Sequence, residues 1–403
     1  MTLIRQTLSN LNFGNQLSPD GRTRISNQLL QGDYKQHNDI AGGSYNTETI
    51  GAGAFSYENS AVGATELQVS ANLDACIRQT YQWHNYFAGK PTKVELTASY
   101  FQPQTDVIKR MGYFSSTTTT PFDANKDGIY FESSGGTISC KVDRNGTNVF
   151  SLAQTNWLNQ PELGSFDPSA FNFYVIDFLY LGGAIVNFWV LTEYGLVKIA
   201  SYQHINVDQN TFIKSPNQPV RYEIRSTGGA GVFNHICSDV VSEGFDQGVG
   251  TIKSFSNGGD TVSVNSVGVR YALLGVRHKA LNRNVIFDFK SISILASSAD
   301  DLLVEFYFGG TIVGTPVWND ITFSYAQGFN AGDIGTVADR VHSGGVLLSS
   351  RYIRGGNADN QILQTSRRLG SYINGTLEEA YICVTPLTSN ANAAVSLDWT
   401  EFI

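Results

Sequence analysis

Helix-forming composition is the most visible shortage in this chain of 403 residues. It has two Met and no long Ala/Leu/Glu/Lys stretch, and that argues against a helical protein. Charge is scarce as well: Asp, Glu, Lys and Arg together make up 15%. The net charge of −8 gives no support to a nucleic-acid-binding surface, and it favours solubility. Arg340, Arg351, Arg354, Arg367 and Arg368 form a loose basic stretch that reads as solvated strand faces or interface residues. Cys76, Cys140, Cys237 and Cys383 are far apart, so no CxxC zinc motif exists. They read as small buried residues of a reducing compartment. The opening "MTLIRQTLSNLNFGN" has no apolar core of a signal peptide, so a soluble chain made in a cytosol is expected.

Apolar residues at 41%, with 24 Phe, 19 Tyr and 40 Gly, are present in the balance expected of strands joined by turns. In "KVELTASYF" the alternation is clean. Val94, Leu96, Ala98 and Tyr100 share one face, and Lys93, Glu95, Thr97 and Ser99 share the wet one. Turn signals such as Asp-Gly, Gly-Gly and Asn-Gly recur at the spacing of a sandwich or barrel. The apolar run at 171–191 mimics a membrane span in length, yet Asp177 and Asn187 sit inside it and Gly182-Gly183 breaks it. Two buried strands around a turn are predicted there. The fold class expected is all-β, with two antiparallel β-sandwich domains, the first jelly-roll-like. Residues 1–43 are predicted to be an extended N-terminal docking arm, 44–245 the first sandwich, 246–260 a Gly/Ser/Asn-rich linker and 261–403 the second sandwich.

"FDANKDGIYFE" (122–132) places Asp123, Asn125 and Asp127 before Gly128, as in a calcium loop. Position twelve of such a loop is Ser134, which cannot supply the bidentate acid, and a hairpin tip on Asp127-Gly128 explains the same residues without an ion. Asp123, Asn125 and Asp127 remain the weak metal candidates. The six His are isolated, and no G-x-S-x-G, Walker or G-x-G-x-x-G motif occurs. Asp300-Asp301 and Glu378-Glu379 are adjacent acids that point to opposite strand faces. No catalytic residue or cofactor is assigned. In "YQWHNYF" (81–87), strand alternation puts Tyr81 and Trp83 on one face. With Trp318 they are the carbohydrate-stacking candidates, against a bland reading as core.

The stretches "DYKQHND" (33–39), "IRQTYQWHNYFAGK" (77–90), "VIKRMGYF" (107–114), "GIYFE" (128–132), "IDFLYLGG" (176–183), "PVRYEI" (219–224) and "ICSDVVSEGF" (236–245) follow one another in an order that resembles a group of tailed-bacteriophage virion structural proteins. The likeness spans residues 20–245, with a looser echo in "LDWTEF". It implies a β-rich, non-enzymatic virion component of the tail, baseplate, fibre or capsid exterior, assembled in the host cytoplasm. It implies as partners other virion proteins and further copies of this chain, most simply a trimer, with host-surface polysaccharide a possible ligand and no nucleic acid or membrane insertion. The Asn/Gly-rich start and the short segment after Trp157 depart from the pattern, so the mode of attachment does not transfer. The rival readings are a carbohydrate-binding receptor module, a polysaccharide-degrading enzyme with two facing acids, and a double-jelly-roll capsid protein.

Overall fold

Along the strand Thr92–Ser99 the predicted alternation is realised. Val94, Leu96 and Ala98 are fully buried and Lys93, Glu95 and Thr97 are half-buried, but Ser99, expected on the wet face, is buried. Tyr100 leaves that face: it turns out of the strand with φ of 55° and is exposed. In the computed structural model the described residues are all except 1–16, 22, 23, 25, 26, 36–43, 60, 117–124, 245–249, 259, 260, 298 and 364–367. The chain divides into two compact units, Met1–Gln247 and Gly248–Ile403. Every strand pairing among the described residues is antiparallel, and the only helical segments there are short 3-10 turns, two of them at Ala331–Ile334 and Val337–Arg340.

The first unit is a sandwich. Its seven-stranded sheet runs, in spatial order, Thr147–Ala153, Thr137–Arg144, Lys126–Ser134, Val107–Ser116, Val220–Ser226, Ala75–Thr80 and Tyr45–Ile50. The facing sheet runs Gly195–Gln203, Ile185–Thr192, Asn172–Leu179, Thr92–Ser99, Gly231–Glu243, Ala64–Val69 and Phe55–Asn59, with Gln28–Lys35 also paired to Gly231–Glu243. Phe131, Met111 and Tyr222 from one sheet meet Tyr174, Phe188 and Phe233 from the other in a single core. Each large apolar side chain buried there contributes about 1.5–3 kcal/mol of transfer free energy. The apolar run at 171–191 is the hairpin Asn172–Leu179/Ile185–Thr192, as its central glycines predict. No helix among the described residues is long and apolar enough to cross a membrane.

The second unit repeats the principle with a separate core. Thr251–Ser256, Ala391–Phe402, Ile286–Ala296 and Ala358–Ile362 form one sheet, joined by Val262–Val264. The other runs Asn319–Asp320, Ala326–Asn330, Tyr271–His278, Glu379–Pro386, Leu302–Phe308 and Val346–Ile353. Trp399, Phe287, Phe306 and Ile382 fill the space between them.

Three local expectations are corrected. The stretch 246–260 is not linker throughout, because Thr251–Ser256 pairs with the closing strand. The arm 1–43 is not wholly extended away from the domain. Gln28–Lys35 adds a strand to the sandwich, Tyr34 is buried with its hydroxyl 2.7 Å from His84 Nε2, and Arg24 bridges Asp177 at 2.7 Å and Glu243 at 2.5 Å. The sparse apolar pattern hid this strand because an edge strand needs only one or two buried side chains. Residues 81–87 form no strand: the chain leaves the sheet at Thr80 and bonds sideways, with His84 N donating to Gln218 O and Tyr86 N to the Asn217 side chain.

Candidate functional site

An extended assembly of buried charge lies on the outer face of the seven-stranded sheet. On each strand, core residues alternate with residues facing away from the core, and the latter form cross-strand rows. Glu223, Arg110 and Glu132 are directly opposite one another on three adjacent strands, as are Gln79, Arg221, Gly112, Tyr130 and Lys141 across five. Arg110 Nε donates to Glu132 at 2.6 Å and its Nη1 to Glu223 at 2.6 Å. Lys141 Nζ is 2.6 Å from the second Glu132 oxygen. Arg221 donates to Glu223 at 2.8 Å and to Gln79 at 3.1 Å, and Lys126 Nζ is 3.4 Å from Glu223. Lys126 and Arg221 are almost wholly buried.

Two glycines make the rows possible. Gly128 lies opposite Phe114, and Gly112 opposite Tyr130, so each aromatic side chain closes over a residue without a Cβ. A Cβ on Gly128 would sit 2.3 Å from Tyr113 O and 2.6 Å from Phe114 Cα. The two rings pack at 4.8 Å, and Tyr130 Oη donates to Asp143 at 2.5 Å.

Electrostatics decide what this face can do. Burial pushes the Glu223 carboxyl up, but Lys126, Arg221 and Arg110 together hold it far below the usual range. For Glu132 burial is likewise outweighed, by Arg110 and Lys141. Burial pushes Lys126 down to about 7, against the attraction of Glu223. A hydrolytic acid pair needs one carboxyl with a raised pKa to deliver a proton, and these two are both held ionised on one guanidinium. The cavity beside them is about 10 Å³, lined by Ala75, Ile77, Arg110, Lys126, Glu223, Ile224 and Arg225, too small for more than about one water.

A different carboxylate pair has the opposite character. On the outer face of the other sheet Asp239 stands opposite Glu95, with Asp33 on its other side. Burial, then Glu95, push Asp239 up to about 7. Lys93 takes Glu95 at 2.5 Å and Lys35 takes Asp33 at 2.7 Å.

The residues singled out in the sequence do not converge. Asp123 lies outside the described residues, and Asn125 is exposed. Asp127 is not at a hairpin tip: it lies with Gly128 inside the strand Lys126–Ser134, opposite Ser115. Its buried carboxylate accepts from Asn145 N at 2.9 Å, Lys214 N at 2.8 Å, Ser215 N at 3.1 Å and Gln218 Nε2 at 2.9 Å. Those donors fill the positions a cation would take. Among the described residues no group of three or more His, Cys, Asp or Glu is placed to hold a metal. Trp83 is buried, Tyr81 half-buried, and both belong to the first unit. Trp318, in the second, has Arg277 over its ring at 4.3 Å and Phe329 edge-on at 4.8 Å. Sequence reading passed over Arg110, Glu132, Arg221 and Glu223. The available signal was charge at i and i+2 inside "VRYEI", which puts both residues on the face opposite the core.

No family model and no curated protein matches the chain. Solved structures similar to part of it include a Bacillus licheniformis β-glucanase, with 9% identity, TM-score 0.35, and 55% of this chain against 100% of that one. The Emp47p carbohydrate recognition domain has 12% identity and TM-score 0.36, over 56% and 100% of the two chains. The VIP36 exoplasmic/lumenal domain has 8% identity and TM-score 0.36, over 55% and 92%. Likeness at this level carries no functional argument.

Proposed function

We propose that this chain is a non-enzymatic structural component of a tailed-phage virion, acting through contacts with other virion proteins and with copies of itself. The observation that supports it is where the resemblance motifs fall. Four of the seven, "IRQT", "KRMGYF", "GIYFE" and "PVRYEI", are neighbouring strands of one sheet, and their polar residues Gln79, Arg110, Glu132, Arg221 and Glu223 meet in one buried ion network on its outer face. Motifs that converge on a buried, charge-compensated framework serve shape and rigidity rather than turnover. In this reading the network serves to fix one arrangement of strands rather than to add stability. Immunogold labelling and mass spectrometry of purified particles test the reading. Particles that infect normally and contain no copy of this chain would sink it.

One observation favours a second reading, a polysaccharide-degrading activity: Asp239 has the raised pKa of a general acid beside Glu95. Hydrolysis of host-surface polysaccharide by the intact chain, lost in both Asp239→Asn and Glu95→Gln, would establish it. Equal activity in the variants would remove it.

A further inference from the structure

Gln28–Lys35 pairs with Gly231–Glu243 and with no other strand among the described residues. It covers the edge at 237–243, yet of its eight residues only Tyr34 is buried. So little apolar burial leaves the hold on this strand to polar contacts. On the inner face Tyr34 Oη is 2.7 Å from His84 Nε2. On the outer face Asp33 is directly opposite Asp239, and Asp239 is directly opposite Glu95. Three carboxyls thus stand side by side on three adjacent strands. Neighbouring strands are about 4.8 Å apart, and like charges placed opposite one another destabilise the pairing.

Two lysines answer the three acids. Lys35 Nζ is 2.7 Å from Asp33, and Lys93 Nζ is 2.5 Å from Glu95. Asp239 has no lysine of its own, and its Oδ1 is buried without a hydrogen bond. The other charges near the row have partners of their own. Arg24 bridges Asp177 at 2.7 Å and Glu243 at 2.5 Å, Lys90 lies over the Phe87 ring at 5.2 Å, and Lys198 over the Trp189 ring at 5.6 Å. Glu66 is opposite Asn234, farther along the long strand, and the Cys237 thiol is opposite Lys35. One carboxyl is therefore in excess, and a proton shared between Asp239 and Glu95 neutralises it. Burial, then Glu95, accordingly push Asp239 up to about 7.

We propose that Gln28–Lys35 is a proton-dependent strap: a proton held between Asp239 and Glu95 keeps it on the sheet, and loss of that proton frees it and opens the edge at 237–243. The sign follows from where the proton binds. With the strap gone, Asp239 loses Asp33 on one side and meets water, so its pKa returns toward the ordinary value of about 3.9. Docking is fully supported below that value and weakens as pH rises through about 7. Asp177, pushed up to about 6 by burial, is ionised on Arg24 above that pH and adds no change of its own there. Protonation of His84 would loosen Tyr34 as pH falls, which has the opposite sign. The inference rests on neither functional reading, because its test needs no particle and no substrate.

The test is hydrogen exchange of the full chain, read by mass spectrometry across a pH series from about 6 to about 8 and corrected for the intrinsic chemical rate. In wild type, protection of the amides at 28–35 should fall about tenfold over that range. That is the factor for one carboxyl that titrates near 7 when docked and well below 6 when released. Thr137–Arg144, in the facing sheet, should keep its protection. Asp239→Asn mimics the protonated acid and should hold the strap equally at every pH. Glu95→Gln removes the neighbouring charge, so the pH at which the strap is lost should move down; this variant decides alone if Asp239→Asn does not fold. Unchanged wild-type protection across the series, a wild-type pH dependence in Asp239→Asn, or an unmoved midpoint in Glu95→Gln would overturn the proposal. So would a loss of protection shared by Thr137–Arg144, since the whole unit would then be opening.

Discussion

Replacing Asp127 with Ala removes the acceptor shared by three backbone N–H groups and the Gln218 amide. Those donors come from two separate segments, the turn at 145 and the loop 214–218, so one carboxylate ties both to the strand Lys126–Ser134. A buried donor left without a partner costs about 1–3 kcal/mol. Four such donors set an upper bound, and two effects reduce it: water can enter the vacated space, and the burial penalty on the charge disappears. A net loss of about 3–5 kcal/mol follows from that bound once both effects are taken off. For a unit of this size that lowers the melting temperature by roughly 6–20 °C. Asp127→Asn keeps one oxygen, faces two N–H donors with its own NH₂, and should lose about half as much. Differential scanning calorimetry and urea titration measure both, with calcium and with chelator. A loss below about 1 kcal/mol in Asp127→Ala would refute the reasoning. So would a calcium-dependent rise in wild-type melting temperature that the variant abolishes, because the carboxylate would then be a ligand and not a tie between segments.

His278 is buried with Nε2 2.7 Å from Val285 O, and burial pushes its pKa down to about 4. The unfolded chain takes up this proton near pH 6.5 and the folded unit does not, so stability is full above about 6.5 and falls toward pH 4 by about 3 kcal/mol. His342, also lowered by burial, acts in the same direction. Urea midpoints of the second unit that stay flat from neutral to mildly acid pH would contradict this. Gly128→Ala meets backbone atoms at 2.3 Å and 2.6 Å and should cost about 3 kcal/mol or more, whereas Gly135→Ala, with φ of 57° and open space, should cost about 1 kcal/mol. Equal melting temperatures for the two would show that the close approach to Phe114 does not constrain the sheet. Arg110→Met removes the cation that Glu132 and Glu223 share and should cost about 3–5 kcal/mol, and adding Glu223→Gln should cost more still, because buried Arg221 and Lys126 then lose their carboxylate. A double variant as stable as the single one would show that Glu223 does not hold Arg221 and Lys126.

Much of the fold was legible in local pattern. Alternation at 93–98, the glycines at 182–183 and the turn dipeptides each report which way a strand faces or where it ends, and these are consequences of backbone period and turn chemistry within a few residues. The metal-like spacing at 123–127 was legible too, but not what the Asp127 carboxylate meets. Whether Asp127 meets a cation or a row of N–H groups depends on the loop 214–218, which lies far away in the chain. The same holds for Arg110, whose two partners come from positions 132 and 223, and for Gln28–Lys35, which reads as polar arm until Gly231–Glu243 presents an open edge to it. Local sequence determined the strands, because their signals are short-range. Strand register determined the ion network, the tied carboxylate and the acid row at Asp33, Asp239 and Glu95, because each depends on residues that only long-range pairing brings opposite one another.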